Sequence, residues 1–170
     1  YSIEVYLYSL CEPEISSSIT IAAHFGPGNF GSYCEPTSAS GPAFGDYVDG
    51  VQLGTINNTA TGNVAGAAYT DFSGQFSTPL SRNAQRVITI TTGQNVGDSY
   101  AAWIDYDGDN VFEANESIGQ SPSLVAGGVV NLFFTVPANA NLGSTKMRVR
   151  CARVVGNEPA ILDPCYNYSL

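Results

Sequence analysis

The sequence has little charge, and very little of it is positive. Only 12% of its 170 residues are charged, and six Lys and Arg stand against fifteen Asp and Glu, which gives a net charge of −9. Proteins that bind nucleic acid need clustered Lys and Arg, and so do proteins that bind an anionic membrane surface. We therefore expect neither partner.

The sequence also lacks a long apolar stretch and a starting methionine. A membrane-spanning helix needs about 20 apolar residues in succession, and no such run is present, so we expect no membrane insertion. The chain begins at Tyr1 without a signal-like segment. We therefore expect a processed or excerpted piece whose export signal is lost or left out.

Metal-binding cysteine and histidine patterns are missing too. No Cys-x-x-Cys pair occurs and His24 is the only histidine, so zinc and iron–sulfur sites are poorly supported. An even number of cysteines with few lysines fits a secreted disulfide protein. Of the three possible pairings we favour Cys11–Cys34 and Cys151–Cys165, because each closes a short loop at one end of the chain. Four buried free thiols are the alternative.

The abundant residues are turn formers and β formers, which predict an all-β protein. The chain has 18 Gly and 10 Tyr but one Met, its length fits one domain, and no window shows helical periodicity. Short strands separated by turns favour an antiparallel β-sandwich, Ig-like or jelly-roll-like. The predicted strands lie within residues 2–8, 18–23, 47–56, 69–72, 86–91, 100–104, 129–136 and 145–151, and residues 57–68 are predicted to form turns.

Two of these strands alternate cleanly in polarity. In the strand 2–8, one face is apolar and carries Ile3, Val5 and Leu7. In the strand 145–151, the apolar positions are predicted to point inward: Met147, Val149 and Cys151. The basic positions between them are predicted to point to solvent: Lys146, Arg148 and Arg150.

The densest acidic stretch runs from Asp105 to Glu116. Counting Asp105 as position 1, carboxylates occupy positions 1, 3, 5, 9 and 12, and Val111 at position 7 offers only a backbone carbonyl. This is the oxygen-ligand spacing of an EF-hand calcium loop, and clustered carboxylates repel one another unless a cation lies among them. We predict a Ca2+ site with five ligands: Asp105, Asp107, Asp109, Val111 and Glu116.

The surroundings of this stretch differ from an EF-hand. Position 6 is Asn110 instead of the usual Gly, and Asn is the next most tolerant residue of left-handed backbone. Residues 100–104 precede the loop and are strand-forming. We therefore expect a calcium loop between β-strands, which has no helix pair to open and so nothing to switch. A solvated acidic turn is the alternative.

The order of several motifs resembles the GEVED domain family over residues 33–170. The most specific are the Trp-Ile-Asp acidic loop at Trp103 and the Gly-x-Thr-x-Met-Arg-Val-Arg strand at Gly143. The others are Tyr33-Cys34-x-Pro36, Asp46-Tyr47-Val48, Tyr69-Thr70-Asp71-Phe72, Val87-x-Thr89-x-Thr91-x-Gly93, Val136-Pro137 and Pro164-Cys165. The resemblance implies a β-sandwich of secreted and cell-surface bacterial proteins, often repetitive, with no established catalytic activity.

The two ends of the chain depart from this family. The Gly-Glu-Val-Glu-Asp run is missing after Cys165, and the chain starts with residues that resemble the family's last strand, which comes after that run. A sandwich without its last strand exposes an unpaired edge, which a strand donated by a neighbouring copy would pair. We predict residues 1–10 as this donor, with Ile3, Val5 and Leu7 as its assembly residues, and residues 11–170 as one domain. The alternatives are one excerpted repeat of a tandem array and a strand that folds back onto its own domain.

No motif predicts an enzyme. His24 has no convincing nucleophile partner, and phosphate-binding loops and nucleophile elbows are lacking. We predict a structural subunit or repeat of an extracellular bacterial filament or adhesive surface fibre, with copies of itself as partners. The alternative is a lectin-like module that binds surface glycans through its Tyr residues and Trp103. We expect Trp103 in the core instead, because it lies in a strand.

Overall fold

The computed structural model describes residues 2–8, 32–36, 45–61, 69–153 and 161–167. Its strands are β1 (Ser2–Tyr8), β2 (Val48–Leu53), β3 (Ile56–Thr59), β4 (Ser77–Ser81), β5 (Gln85–Thr92), β6 (Ser99–Ile104), β7 (Ser117–Pro122), β8 (Val129–Thr135) and β9 (Gly143–Ala152). One 3-10 turn, Ala114–Glu116, directly precedes β7. The described part of the chain is therefore all-β, as its composition predicts.

The strands form two packed sheets, which confirms the β-sandwich. The five-stranded sheet has the order β4-β1-β9-β6-β7, and the four-stranded sheet has the order β3-β2-β5-β8. Neighbouring strands are antiparallel, except that β1 runs parallel to β4. β1 therefore lies inside its sheet, with a hydrogen-bonded neighbour on each side.

The main core lies between the two sheets and follows the alternation of the strands. In β5, Ile88 and Ile90 are fully buried, whereas Val87 on the other face is 39% exposed. β8 follows the same rule, since Val130 and Leu132 are buried. Period-2 alternation with one face buried is the pattern of an antiparallel sheet that is open to water on its outer side.

β6 is buried on both of its faces. Tyr100, Ala102 and Ile104 face the main core, whereas Ala101 and Trp103 belong to a second apolar cluster. This second cluster, which we call the outer cluster, covers the five-stranded sheet and contains Ala101, Trp103, Phe112, Ala152 and Leu162, with Tyr33 packed against it. Trp103 is 2% exposed, so it lies in a core as predicted and offers no surface for a sugar.

Some strand predictions were wrong in their details. Residues 69–72 form no strand beyond an isolated bridge at Asp71, and residues 57–59 extend β3 instead of forming a turn. β4 and β7 were missed, because Pro79 in β4 and Gly119 and Pro122 in β7 interrupt the β-forming pattern. Both lie at the edges of their sheet, where proline is tolerated. The predicted strand 18–23 lies outside the described residues.

Candidate metal centre

The acidic loop joins β6 to β7, at the end of the five-stranded sheet. It starts directly after Ile104 and ends in the 3-10 turn that leads into β7. Two of its residues have left-handed backbone, Gly108 with φ 74° and Asn110 with φ 71°. A left-handed turn at position 6 is the geometry predicted for Asn110, and the strand before the loop confirms that it is not an EF-hand.

Asp105 anchors the start of the loop. Its side chain is fully buried, where Oδ1 accepts a hydrogen bond from the Gly108 N–H at 2.6 Å and Oδ2 accepts one from the Asn110 N–H at 3.1 Å. The Tyr33 hydroxyl also donates to Oδ2. Burial and the neighbouring carboxylate raise the pKa of Tyr33 above its ordinary value, so Tyr33 stays a donor. These contacts leave one acceptor position on Oδ1.

Glu116 closes the loop from the other end. It is 2% exposed, and its Oε1 accepts from the N–H groups of Tyr106 and Asp107, the latter at 3.3 Å, while Oε2 accepts from the Glu113 N–H at 3.2 Å. Burial raises the pKa of Glu116 to about 7, and the Glu113 and Asp105 side chains add to that rise. A buried carboxyl among other carboxyls is destabilised as an anion unless a cation compensates it.

Asp107 and Asp109 lie on the exposed side of the loop. Asp107 Oδ1 accepts a hydrogen bond from the Asp109 N–H at 3.2 Å, and Asp109 Oδ1 accepts one from the Val111 N–H at 2.7 Å. Each side chain thus shapes the turn two residues ahead, as short acidic side chains do. Val111 is half exposed, and its carbonyl as a ligand stays a prediction.

The carboxylates converge into two overlapping groups that could hold a metal ion. Asp105, Asp107 and Asp109 form one group, and Asp107, Glu113 and Glu116 form the other, with all ligand atoms of a group within 4.8 Å of one another. Asp107 belongs to both. Glu113 was not among the predicted ligands, although it occupies position 9 of the spacing, where EF-hand loops often bind through water.

The donor set fits a hard cation. Every candidate side-chain ligand is a carboxylate oxygen, the ligand type of Ca2+ and Mg2+. Glu113 Oε2 is buried and has no hydrogen-bond partner among the described residues, although a buried acceptor normally has one. A cation between Asp107, Glu113 and Glu116 would satisfy this atom.

The outer cluster holds the loop against the sheet. Phe112 follows the first three acidic residues of the loop in sequence. Its ring packs on the Tyr33 ring, with the ring centroids 4.9 Å apart. On the other side, the Thr145 hydroxyl in β9 donates to the Asp105 carbonyl, and the Asp105 N–H donates to Lys146 O at 3.1 Å. Loop, outer cluster and β9 are therefore one connected unit.

A disulfide ties Tyr33 to this unit, and its pairing corrects the sequence prediction. Cys34 is bonded to Cys165, with 5.7 Å between their Cα atoms and 131 residues between them in sequence. Cys151 is a free cysteine, so the expected Cys151–Cys165 and Cys11–Cys34 bonds were wrong; Cys11 itself lies outside the described residues. The prediction assumed that each disulfide closes a short loop in sequence. It was wrong because segments 32–36 and 161–167, which are remote in sequence, meet over the five-stranded sheet.

The prediction for Arg148 was also wrong. The alternation of β9 predicts that Arg148 faces solvent, but its side chain is 1% exposed, because the outer cluster covers that face of the sheet. Its guanidinium donates to Pro164 O at 2.9 Å and to Cys34 O at 2.6 Å, and it lies 4.8 Å from the Phe112 ring centroid. Burial lowers its pKa from the ordinary value. Arg148 thus joins both segments of the disulfide to the ring behind the acidic loop.

A second buried carboxyl lies at the far end of β6. Asp98 is fully buried, and its Oδ1 has no hydrogen-bond partner within the described residues. Its other oxygen is 3.9 Å from the Cys151 sulfur. Burial, with the nearby Asp46 carboxyl, raises the pKa of Asp98 to about 7, against a lowering influence of Arg153.

The predicted assembly strand lies in its own sheet. Its register sets Ile3 opposite Met147, Val5 opposite Thr145, and Leu7 opposite Gly143. In the single chain, β1 therefore folds back onto its own domain, which is one of the three alternatives that the sequence leaves open. Residues 9–47 connect it to β2.

The region that carries the acidic loop matches a family model. Residues 99–169 match the GEVED domain, from the start of β6 to beyond the second cysteine of the disulfide. This match confirms the predicted resemblance to the GEVED family over these residues. The resemblance of residues 33–98 to the family stays a prediction.

A GEVED domain suggests a secreted or surface module. No curated protein matches the chain, and no solved structure does. Within the described residues, no helix has the length and apolar character needed to cross a membrane. The matched region contains the acidic loop, β9 and Cys165 of the disulfide, while Tyr33 and Cys34 lie outside it.

Proposed function

We propose that the protein is a non-catalytic structural subunit or repeat of an extracellular bacterial filament or adhesive surface fibre. In this proposal, copies join head to tail by strand donation and each copy is stabilised by calcium. The observation that carries it is the place of β1 between β4 and β9. Removing a strand from inside a sheet leaves two unpaired edges, so some strand must fill the gap.

The distance in sequence between β1 and β2 supports an exchange between copies. Residues 9–47 separate β1 from β2, which lies in the other sheet. A strand separated in this way from the rest of its domain can leave its own gap and fill the equivalent gap of a neighbour with the same hydrogen bonds. Because this contact is heterologous, it does not close on itself and generates a filament.

The acidic loop supports the stabilising part of the proposal. The two carboxylate groups share Asp107 and have the calcium spacing, and the loop contacts β9 through Asp105. β9 is also the strand on which β1 pairs. A bound Ca2+ would therefore stiffen the strand that receives β1, and Asp105, Asp107, Asp109, Glu113 and Glu116 would hold it.

Extracellular localisation is supported by the covalent chemistry and by the family. The Cys34–Cys165 disulfide is expected where the environment is oxidising, and the GEVED domain suggests a secreted or surface module. Both observations favour a protein that works outside the cytoplasm.

Light scattering on the native protein tests the proposal. We expect a concentration-dependent series of multimers, and filaments with a regular repeat by electron microscopy. Deleting residues 1–10 is expected to abolish these multimers, and adding residues 1–10 as a peptide is expected to restore the melting temperature of the shortened chain. A native chain that stays monomeric at all concentrations would contradict the proposal.

A further inference from the structure

The outer face of the four-stranded sheet carries a line of uncharged polar side chains. Asn57, Gln52, Thr89 and Asn131 are consecutive register partners across β3, β2, β5 and β8. They alternate with the buried residues of these strands and so point away from the main core. We call these four residues the amide row.

The amide row has hydrogen-bonding capacity left over. Gln52 Nε2 donates to Asn57 Oδ1 at 2.9 Å, and the Thr89 hydroxyl donates to Asn131 Oδ1 at 2.8 Å. Among the described residues, the Asn57 and Asn131 amide nitrogens and Gln52 Oε1 make no further hydrogen bond. The row therefore offers donors and an acceptor side by side, in an orientation fixed by the bonds between neighbours.

An apolar row lies beside the amide row. Val87 and Phe133 are register partners, two residues away from the amide row along β5 and β8. Phe133 is 78% exposed, although large aromatic side chains are normally buried. An exposed ring next to fixed amides is a surface for a ligand with both hydroxyl groups and apolar C–H faces.

A shallow, open groove lies at one end of the two rows, where β2, β3 and β5 meet. It has a volume of about 340 Å³ and is lined by Gln52, Leu53, Gly54, Ile56, Asn57, Val87 and Thr89, while Asn131 and Phe133 continue the two rows beyond it on β8. None of these residues is charged, although the chain has a net charge of −9. An anionic ligand would meet the acidic protein without a cation to hold it, and a cationic ligand would find no carboxylate here.

We propose that this groove, together with the adjoining Asn131 and Phe133 on β8, binds a neutral oligosaccharide. Sugar hydroxyls would pair with the Asn57, Gln52 and Asn131 amides, and an apolar face of one sugar ring would pack on Phe133. The site is distinct from the acidic loop and from β1, since both belong to the five-stranded sheet. Binding is therefore expected to be the same with calcium and with EDTA.

Affinity electrophoresis in gels that contain soluble neutral polysaccharides tests this site. The probes are a mixed-linkage glucan, a xylan and a galactomannan, with polygalacturonate as the acidic comparison. We expect at least one neutral polysaccharide to retard the protein and polygalacturonate to have no effect. Gln52→Ala combined with Asn57→Ala, and separately Phe133→Ala, are each expected to weaken binding by about tenfold or more.

The matched control is Leu124→Ala, since Leu124 is 81% exposed on the β7–β8 loop and does not line the groove. It is expected to bind like the unchanged protein, as is Phe133→Tyr, which keeps an aromatic ring. Melting curves establish that each variant is folded. If no neutral polysaccharide retards the protein, or if the Gln52/Asn57 variant binds normally, the proposal is wrong. Self-association that Phe133→Ala abolishes, without retardation by any polysaccharide, would assign the face to a second copy and also overturn it.

Discussion

Replacing Asp107 by Ala separates the calcium account from a solvated acidic turn. Asp107 is the one residue that belongs to both carboxylate groups, so its loss removes a ligand from either arrangement. In the metal-free chain it does little else, because its exposed side chain accepts a single hydrogen bond within the described residues, from the Asp109 N–H at 3.2 Å. The expected effect on stability is therefore large with calcium and small without it.

The size of the effect comes from linkage between binding and folding. Calcium at 100 times its dissociation constant stabilises the folded chain by about 2.7 kcal/mol, which corresponds to a rise in melting temperature of about 5–11 °C for a chain of this length. Asp107→Ala is expected to abolish most of this rise. Without calcium, the lost hydrogen bond accounts for at most about 1 kcal/mol.

The assay is thermal unfolding measured by circular dichroism, in EDTA and in excess CaCl2. The matched control is Glu35→Ala, which removes one exposed negative charge that belongs to neither carboxylate group of the loop and is expected to keep the full calcium response. The metal account is wrong if the unchanged protein has the same melting temperature in EDTA and in excess CaCl2. It is also wrong if calcium raises the melting temperature of Asp107→Ala as much as that of the control.

The remaining predictions concern the disulfide, Arg148 and Asp98. Peptide mapping without reduction is expected to find Cys34 linked to Cys165 and to find Cys151 alkylated after unfolding; a Cys151–Cys165 link would contradict the structure. Arg148→Lys keeps the charge but loses the planar fork, so urea unfolding should show a loss of about 2–3 kcal/mol, and a loss below about 0.5 kcal/mol would remove its bridging role. The raised pKa of Asp98 means that the folded chain keeps a proton which the unfolded chain releases above its ordinary pKa of 3.8. Stability should therefore fall as pH rises from about 4 to about 7, by up to about 1.4 kcal/mol per pH unit. Asp98→Asn should reduce this decrease in stability with pH, and a variant with the same pH dependence as the unchanged protein would contradict the prediction.

Local patterns in the sequence predict much of the sheet and the shape of the loop. Ile88 and Ile90 alternate with threonines, so the strand and its buried face can be read directly. The left-handed backbone of Asn110 is expected from its position in the calcium spacing. These features depend on residues that are close together in the sequence, so one sequence is enough to predict them.

The features that sequence reasoning missed depend on which distant segments cover which surface. Arg148 looks like a solvent position because β9 alternates, but the outer cluster buries that face. The Cys34–Cys165 pairing depends on the same covering segments, which are remote in sequence. One signal in the sequence could have indicated the Cys34–Cys165 pairing. Tyr33-Cys34-x-Pro36 and Pro164-Cys165 are motifs of the same family resemblance, and each has a cysteine next to a proline or an aromatic residue.

The most direct test of the central claim is to ask which copy supplies β1. The register places Tyr6 opposite Ser144 of β9, so the double variant Tyr6→Cys and Ser144→Cys can form a disulfide across this pair of strands. The double variant is purified under native conditions, oxidised and run on a denaturing gel without reducing agent, with each single variant as a control. Strand donation predicts a ladder of covalent multimers from the double variant alone. A cross-linked monomer as the sole product would show that β1 stays in its own chain and would contradict the account.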